Sequence, residues 1–365
     1  MKNLIGISLF TGAGGMDVGF NSAGISISLA NELDDYACET YSKNHRETKL
    51  LRGDIKQFMN AFSYNTEVDL VFGGPPCQGF SVAGKMDPED KRSKLIWDFL
   101  DVVKIANPKV FVMENVKALG RLEKWVEIRR EFLLRSSQMG YYCDYFVLNA
   151  ATYGVSQNRE RVFFIGCRDG YDTENMLLAL KEKEQIPLSL RELLGQLPKA
   201  GSTEHPLTCT ANVTLAKKPV MRKSPYAGMM FNGLGRPLNL DSVSATLPAS
   251  MGGNKTPIID SYLLEDPTLK DWVKEYHSGL LNNKMQPDST TVPKQLRRLT
   301  IKEAALIQTF PANYEFSGTK SAIYTQIGNA VPCKLAEIVA RSVIEVCFEK
   351  KTWDKPNVEK QLRLF

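Results

Sequence analysis

The sequence predicts an α/β protein: a Rossmann-like sheet with helices on both faces, joined to a smaller, irregular β-rich region. Three observations lead there. Short apolar runs of strand length alternate with amphipathic stretches through the first 170 residues. A glycine-rich turn, Thr11 to Gly15, follows the first of these runs at once. From residue 171 to roughly 290 the strand–helix texture stops, and proline, glycine, Ser/Thr and short apolar pieces dominate.

Leu4 to Phe10 (LIGISLF) reads as a buried strand, Gly24 ends a short amphipathic segment, and Ile25 to Ala30 reads as a second strand with Glu32 just beyond. Strand, glycine turn, helix, strand and acid is a nucleotide-binding arrangement, the carboxylate placed for a ribose diol. GAGGMD is not GxGxxG, because Asp17 stands where the third glycine would be, so a nucleoside cofactor without a pyrophosphate fits better. The same residues would also make an ordinary tight turn. Gly53-Asp54-Ile55 reads as another strand-end turn carrying an acid.

Val68 to Phe72 (VDLVF) is a third buried strand, followed by Gly73-Gly74-Pro75-Pro76-Cys77-Gln78-Gly79-Phe80-Ser81. Two prolines cannot continue a strand, so the chain forms a stiff loop with one cysteine on it. Strand ends of open α/β sheets are where ligands bind, which suits Cys77 as a nucleophile; a small buried hydrophobe is the alternative. Residues 82–94 are polar and read as an exposed loop, and Leu95 to Ala106 as an amphipathic helix. Lys109 to Met113 is a further strand that ends in Glu114, either an active-site acid or a cap for the next helix. Residues 121–138 are helical, and Tyr141–Leu148 and Val162–Cys167 read as an antiparallel pair. Between them, Arg159 and Arg161 lie two apart and so on one face of a strand, in a site or along a solvated edge.

Regular structure returns at Arg297-Arg298-Leu299-Thr300, where Thr300 and Glu303 form a capping box for a helix running to about Thr309. Gln326 to Pro332 reads as a glycine-and-proline turn, and Leu335, Ile338, Val339, Val343 and Val346 mark a final helix. Seven scattered cysteines with no CxxC pair exclude a disulfide framework or structural zinc site and suit a reducing cytoplasm. His45, His205 and His277 lack metal-ligand spacing and read as incidental, so no metal is expected. Neither a signal peptide nor a membrane span is expected at the N-terminus, and a net charge of +5 permits a polyanionic partner without demanding one.

Taken in order, these pieces resemble the DNA (cytosine-5)-methyltransferase family of the prokaryotic restriction-modification type. FTGAGG with Glu32, Asp54-Ile55, PPCQ, ENV, QNRER, RRLTIKEAALIQTFP and QIGNAVP match its ordered blocks from residue 4 to about 347. The resemblance implies an S-adenosyl-L-methionine site, left by S-adenosyl-L-homocysteine as product and framed by Phe10, Gly12, Gly14, Gly15, Glu32, Leu33, Asp54, Ile55, Pro75, Asn329 and Ala330. Leu33 departs from the pattern, since many relatives carry an aromatic there. It also implies Cys77 as nucleophile at carbon 6 of a flipped-out cytosine, Glu114 as the acid at ring nitrogen 3, and Arg159 and Arg161 holding the base's carbonyl oxygen and supporting both.

The same resemblance divides the chain into a catalytic and cofactor-binding domain over 1–170, completed by 320–350, a target recognition domain over 171–319, and a tail over 351–365. Ser81 would close over the base, and Arg222, Arg236, Thr246 and Lys255 would contact DNA, with Lys223 a further basic loop residue. The implied partner is double-stranded DNA, with a restriction endonuclease as functional pair, in a cytoplasmic monomer. Competing readings are a tRNA cytosine methyltransferase, disfavoured by the roughly 120-residue insert and a missing Cys-Phe-Thr signature, and a non-catalytic DNA-binding relative, disfavoured by the intact Cys77, Glu114, Arg159 and Arg161. A dehydrogenase is more distant, its fingerprint being broken at Asp17.

Overall fold

Alternation along the strands decides the architecture. Leu70 and Phe72, Val110 and Val112, Phe163 and Ile165 pack into one apolar layer. Their neighbours Val71, Phe111, Met113, Val162 and Phe164 pack into a second layer on the opposite side. A sheet apolar on both faces must be covered on both, and it is. The computed structural model describes residues 3–63, 68–76, 95–287 and 290–353. Cys77, Ser81, the 82–94 loop and the end of the tail lie outside those residues.

The first half of the chain runs β1 (Leu4–Leu9), α1 (Gly15–Ser22), β2 (Ile25–Glu32), α2 (Asp35–Asn44), β3 (Lys49–Arg52), β4 (Leu70–Gly73), α3 (Leu95–Ala106), β5 (Val110–Val116), α4 (Lys117–Arg121), α5 (Val126–Gln138), β6 (Tyr142–Asn149), β7 (Gln157–Asn158) and β8 (Glu160–Cys167). The main sheet has seven strands in the order β3-β2-β1-β4-β5-β8-β6. Five are parallel, and β8 runs antiparallel to both β5 and β6. After these come α6 (Thr173–Lys181), α7 (Leu190–Leu194), β9 (Leu215–Val220), β10 (Met229–Phe231), β11 (Ser244–Ala245), β12 (Ile258–Asp260), α8 (Ser261–Glu265), α9 (Trp272–Leu281), β13 (Leu296–Arg298), α10 (Ile301–Ile307), α11 (Lys320–Asn329) and α12 (Cys333–Val343).

Helices α1, α6 and α12 cover one face of the sheet, with Met16, Phe20, Met176, Leu335 and Val339 in its core. Helices α3 and α5 cover the other, with Phe99, Val103 and Phe132. Residues 173–181 thus pack on the main sheet although the change in sequence texture precedes them. The middle of the chain builds two smaller clusters. Met230, Phe231, Ile258, Val273, Tyr276 and Leu296 form one. The other joins Leu190, Leu240 and Leu247 to Leu299, Ile307, Tyr324 and Ile327. The capping box at α10 forms as the sequence predicts, with Glu303 Oε2 accepting from the Thr300 amide at 2.7 Å and Thr300 Oγ1 accepting from the Glu303 amide at 3.1 Å.

Two readings need correction. Gln326 to Asn329 is no turn: it is the last turn of α11, which Thr319 caps by accepting from the Ala322 amide while Tyr324 and Ile327 are buried. The histidines are not incidental. Each is buried and tied: His45 Nε2 to the Tyr314 hydroxyl, His205 between the Pro198 carbonyl and Thr300 Oγ1, and His277 to the Arg222 carbonyl. A buried imidazole needs a partner for each ring nitrogen it keeps from water, and single-sequence spacing does not reveal one.

Helix α1 lies against α12 at Gly19, where a Cβ would come within 2.4 Å of the Cys333 carbonyl oxygen and 2.5 Å of the Glu337 nitrogen. Backbone cannot step aside as a flexible side chain can. Gly19→Ala is expected to destabilise the fold by about 3 kcal/mol, the upper end of ordinary overpacking, with the urea midpoint of unfolding as the measurement. A midpoint within about 0.5 kcal/mol of wild type would show that the two helices separate cheaply.

Candidate active site

The register of the sheet brings the chemistry-bearing loops to one edge. Leu9 pairs with both Asn31 and Gly73, Glu32 with Arg52, Gly73 with Met113, and Val116 with Arg161. The turns after β1, β2, β3, β4 and β5 and the start of β8 therefore share the carboxyl edge of the parallel strands, where open α/β sheets bind ligands.

Phe10 leaves β1 at φ 53, a strained value for a bulky residue, and Gly12 and Gly14 follow at φ 55 and 80. Those two angles are what the glycines are for. Beyond Gly12 there is open space where a Cβ would point, so a ligand can lie against the turn's backbone. The Glu32 carboxylate holds this turn and its own strand end together, accepting from the Gly12 amide at 2.7 Å and from the Leu33 and Asp34 amides at 2.8 Å each. Burial pushes its carboxyl above the ordinary carboxylate value, against the three amides that lower it. Leu33 is 69% exposed, Asp54 is exposed at the turn after β3, and Ile55 is buried in the core beneath. Asn31, which the sequence reading passed over, donates to the Leu51 and Gly53 carbonyls at 3.0 Å each and so sets that turn.

Asp17 proves to be a support beneath the turn. It is fully buried and accepts from Thr11 Oγ1 at 2.6 Å and from the Tyr41 hydroxyl at 2.8 Å. From the far end of the chain, the Tyr314 hydroxyl donates to the Ala13 carbonyl, and Ala330 and the Val331 carbonyl close on Gly15.

Across the edge, Glu114 and Arg161 form a largely buried ion pair, Nε to Oε1 at 2.8 Å with side chains 11% and 15% exposed respectively. Burial pushes the Glu114 carboxyl up, while Arg161 and Arg159 pull it back in part. Two alternatives for these residues fall away. Glu114 caps nothing, since α4 begins three residues later without a side-chain cap. The arginines are on no solvated edge: Arg161 is on β8, which lies between β5 and β6, and Arg159 just before it is buried. With Oε1 taken by Arg161, Oε2 faces Gly74, where a Cβ would lie 2.8 Å away. On the next residue, Asn115 Nδ2 donates to the Pro75 carbonyl at 3.1 Å, so β5 carries both the acid and the tether of the loop that leads to Cys77. A strand-end Asn directly after the acid was the available signal for that tether.

Gly74→Ala is expected to leave the fold intact and to push the Glu114 carboxylate off its position. With Glu114 as an active-site acid the expected loss is about 10²-fold in kcat, the effect of misplacing such a group by an ångström. Steady-state kinetics with thermal melting as control checks it.

Arg159 is placed differently from Arg161. It is 1% exposed, and its Nη atoms donate to the carbonyls of Leu247, Gly328 and Asn329 at 3.1, 2.8 and 3.3 Å. These bonds tie it to distant chain segments that could not be read from spacing, and its charge also lowers the Glu114 pKa, as support for that acid requires. Arg222, Arg236, Thr246 and Lys255 are all exposed, and Thr246 Oγ1 donates to the Asn158 carbonyl at 2.6 Å.

The chain has clear relatives among known proteins. Residues 4–345 match the family described as C-5 cytosine-specific DNA methylase. The chain is 31% identical to the Type II methyltransferase M.FnuDI of Fusobacterium nucleatum, covering 98% of this chain and 97% of that protein. It is equally 31% identical to the Type II methyltransferase M1.HphI of Haemophilus parahaemolyticus, over 93% of this chain and 86% of the other. A solved structure of a DNA modification methyltransferase encoded within an Escherichia coli prophage superposes with a TM-score of 0.64 at 22% identity, covering 94% of this chain and 99% of that one.

Proposed function

Because the chain belongs to the C-5 cytosine-specific DNA methylases, and is thereby a DNA (cytosine-5)-methyltransferase, we propose that it methylates one cytosine within a short, specific sequence of double-stranded DNA. The methyl donor is S-adenosyl-L-methionine, and the reaction runs through a covalent adduct of Cys77 with a flipped-out base. The observation that carries this reading is Glu114: buried, paired to Arg161 through Oε1, and facing Gly74 through Oε2 on the stem of the Cys77 loop.

The residues fit the cofactor. Open space lies over Gly12 beside the Glu32 carboxylate, as an adenosine diol requires. Asp17 puts a buried carboxylate in the first turn of α1, the helix end that a pyrophosphate would otherwise use. That charge repels a dinucleotide and tolerates a sulfonium. When bound, S-adenosylmethionine supplies an electrophilic methyl group.

The chain's own residues supply the rest. Carbon 5 of cytosine is a poor nucleophile, so the ring must first gain electron density. The Cys77 thiolate adds to carbon 6 while Glu114 gives a proton to ring nitrogen 3, which leaves carbon 5 electron-rich as part of an enamine. Arg161 orients Glu114 and faces the base's carbonyl oxygen. After methylation, loss of the carbon-5 proton to a base restores the double bond and expels the Cys77 thiolate, and ring nitrogen 3 returns its proton to Glu114. A stacked base hides carbon 6, so the cytosine must leave the helix. The proposed DNA contacts are exposed Arg222, Arg236, Thr246 and Lys255, within a recognition domain read over 171–319 of which α6 packs on the catalytic sheet, and Ser81 on the Cys77 loop of the catalytic part, 1–170 and 320–350. That its relatives are Type II methyltransferases supports reading the protein as the modification partner of a restriction endonuclease, and we take it to act as a monomer on DNA in a cytoplasm. Among the described residues no helix is long and apolar enough to cross a membrane.

Expression in a host free of DNA methylation, followed by bisulfite sequencing, tests the reading. Protected cytosines confined to one short motif are the expected result; complete conversion of the host DNA sinks it, and tRNA would then be the substrate to try.

A further inference from the structure

Beneath the active-site edge, two buried glutamines form a relay between distant parts of the chain. The Leu247 amide donates to Gln157 Oε1 at 2.8 Å, which fixes the orientation of that amide group. Gln157 Nε2 must then be the donor to Gln308 Oε1 at 2.8 Å, and Gln308 Nε2 the donor to the Ile327 and Ala330 carbonyls at 2.6 and 3.1 Å. Both side chains are fully buried, so each contact is made in the absence of competing water. On one side, β11 pairs in parallel with β7, placing Ser244-Ala245 against Gln157-Asn158 and leading into Thr246-Leu247. On the other, Ala330 closes on Gly15 of the glycine turn.

We propose that Gln157 and Gln308 are positioning residues that lock the Thr246–Leu247 element to the 327–330 loop, so that DNA recognition and cofactor binding share one buried joint. The inference rests on the proposed function, since it takes Thr246–Leu247 as recognising DNA and the 330 loop as framing the cofactor. The asymmetry of the relay sets what each residue does. Gln157 touches only the recognition side and its partner amide, whereas Gln308 holds the Ile327 and Ala330 carbonyls, beside Arg159, which spans the same two segments through the Leu247, Gly328 and Asn329 carbonyls.

Gln157→Met and Gln308→Met remove these amides at nearly constant volume. Gln308→Met is expected to raise the KM for DNA about tenfold and to weaken S-adenosylhomocysteine binding, read by calorimetry, by a similar factor, the loss of a buried hydrogen bond on each side. Gln157→Met should raise the DNA KM about tenfold while leaving S-adenosylhomocysteine affinity within about threefold. The double variant should be no worse for DNA than either single one, because the two share one link. A merely structural role would lower the melting temperature without this split. A folded Gln157→Met with unchanged DNA KM, or additive losses in the double variant, overturns the inference, and Gln157→Met decides alone if Gln308→Met fails to fold. A wild-type protein that transfers no methyl group to DNA overturns the reading beneath it as well.

Discussion

Cys77→Ala is expected to abolish methyl transfer, by on the order of 10⁴-fold or more, while DNA and S-adenosylhomocysteine still bind. Removing the nucleophile from a covalent mechanism leaves binding and electrostatics in place but no route that activates carbon 5. The loss should fall in kcat, with the KM values nearly unchanged, because the thiolate bonds to the base only on the way to the transition state. Cys77→Ser should be almost as inactive, since a hydroxyl is scarcely ionised near neutral pH where a thiol begins to be. DNA carrying 5-fluorocytosine at the target gives the direct readout. Fluorine cannot leave carbon 5 as a proton does, so the wild-type protein stays bonded to the methylated strand and migrates with it on a denaturing gel. The Cys77→Ala protein should show no such band. Retention of more than about a hundredth of wild-type activity by Cys77→Ala would rule out Cys77 as the nucleophile.

Much of the frame behind that expectation is legible in the order of residues alone. Strands β1, β4 and β5 are short apolar runs near glycine or proline, and a sheet buried on both faces requires such runs. Glu32 closes β2 and Glu114 stands two residues before the end of β5, so their place near the sheet edge is visible in the sequence as well. What spacing cannot supply is the partners. Asp17 looks like a broken fingerprint and is a buried support for two hydroxyls, one of them on Tyr41 of the next helix. Arg159 joins Arg161 in lowering the Glu114 pKa, and it also donates to carbonyls up to 170 residues away, which spacing does not reveal. The α11 helix hides behind Gly328, which reads as a turn residue until Thr319, Tyr324 and Ile327 are seen to cap and bury the segment. In each case what spacing leaves out is the set of groups that a polar or glycine residue meets in the fold.

Glu114→Gln separates the acid from the scaffold in the same way. The amide can still donate a hydrogen bond to ring nitrogen 3 but cannot release a proton, so kcat should fall about 10²-fold, within the usual range for general acid catalysis. The pH profile then carries more information than the rate. Burial raises the Glu114 pKa and the two arginines only partly offset it, so wild-type activity that depends on the protonated carboxyl declines as pH rises through that raised value. The Glu114→Gln protein should lack this alkaline limb. Stability should move with the same sign. A carboxyl whose folded pKa lies above its unfolded one favours the fold fully at pH below the unfolded value. That contribution is lost as pH climbs through the folded value. The substituted amide has no proton to lose, so the variant should gain on wild type in urea midpoint as the buffer is taken from mildly acidic to alkaline. Were Arg161 dominant instead, wild type would lose stability on acidification and the difference would run the other way. Glu114→Gln with an unaltered alkaline limb would show that another group sets it, and would remove Glu114 as the acid.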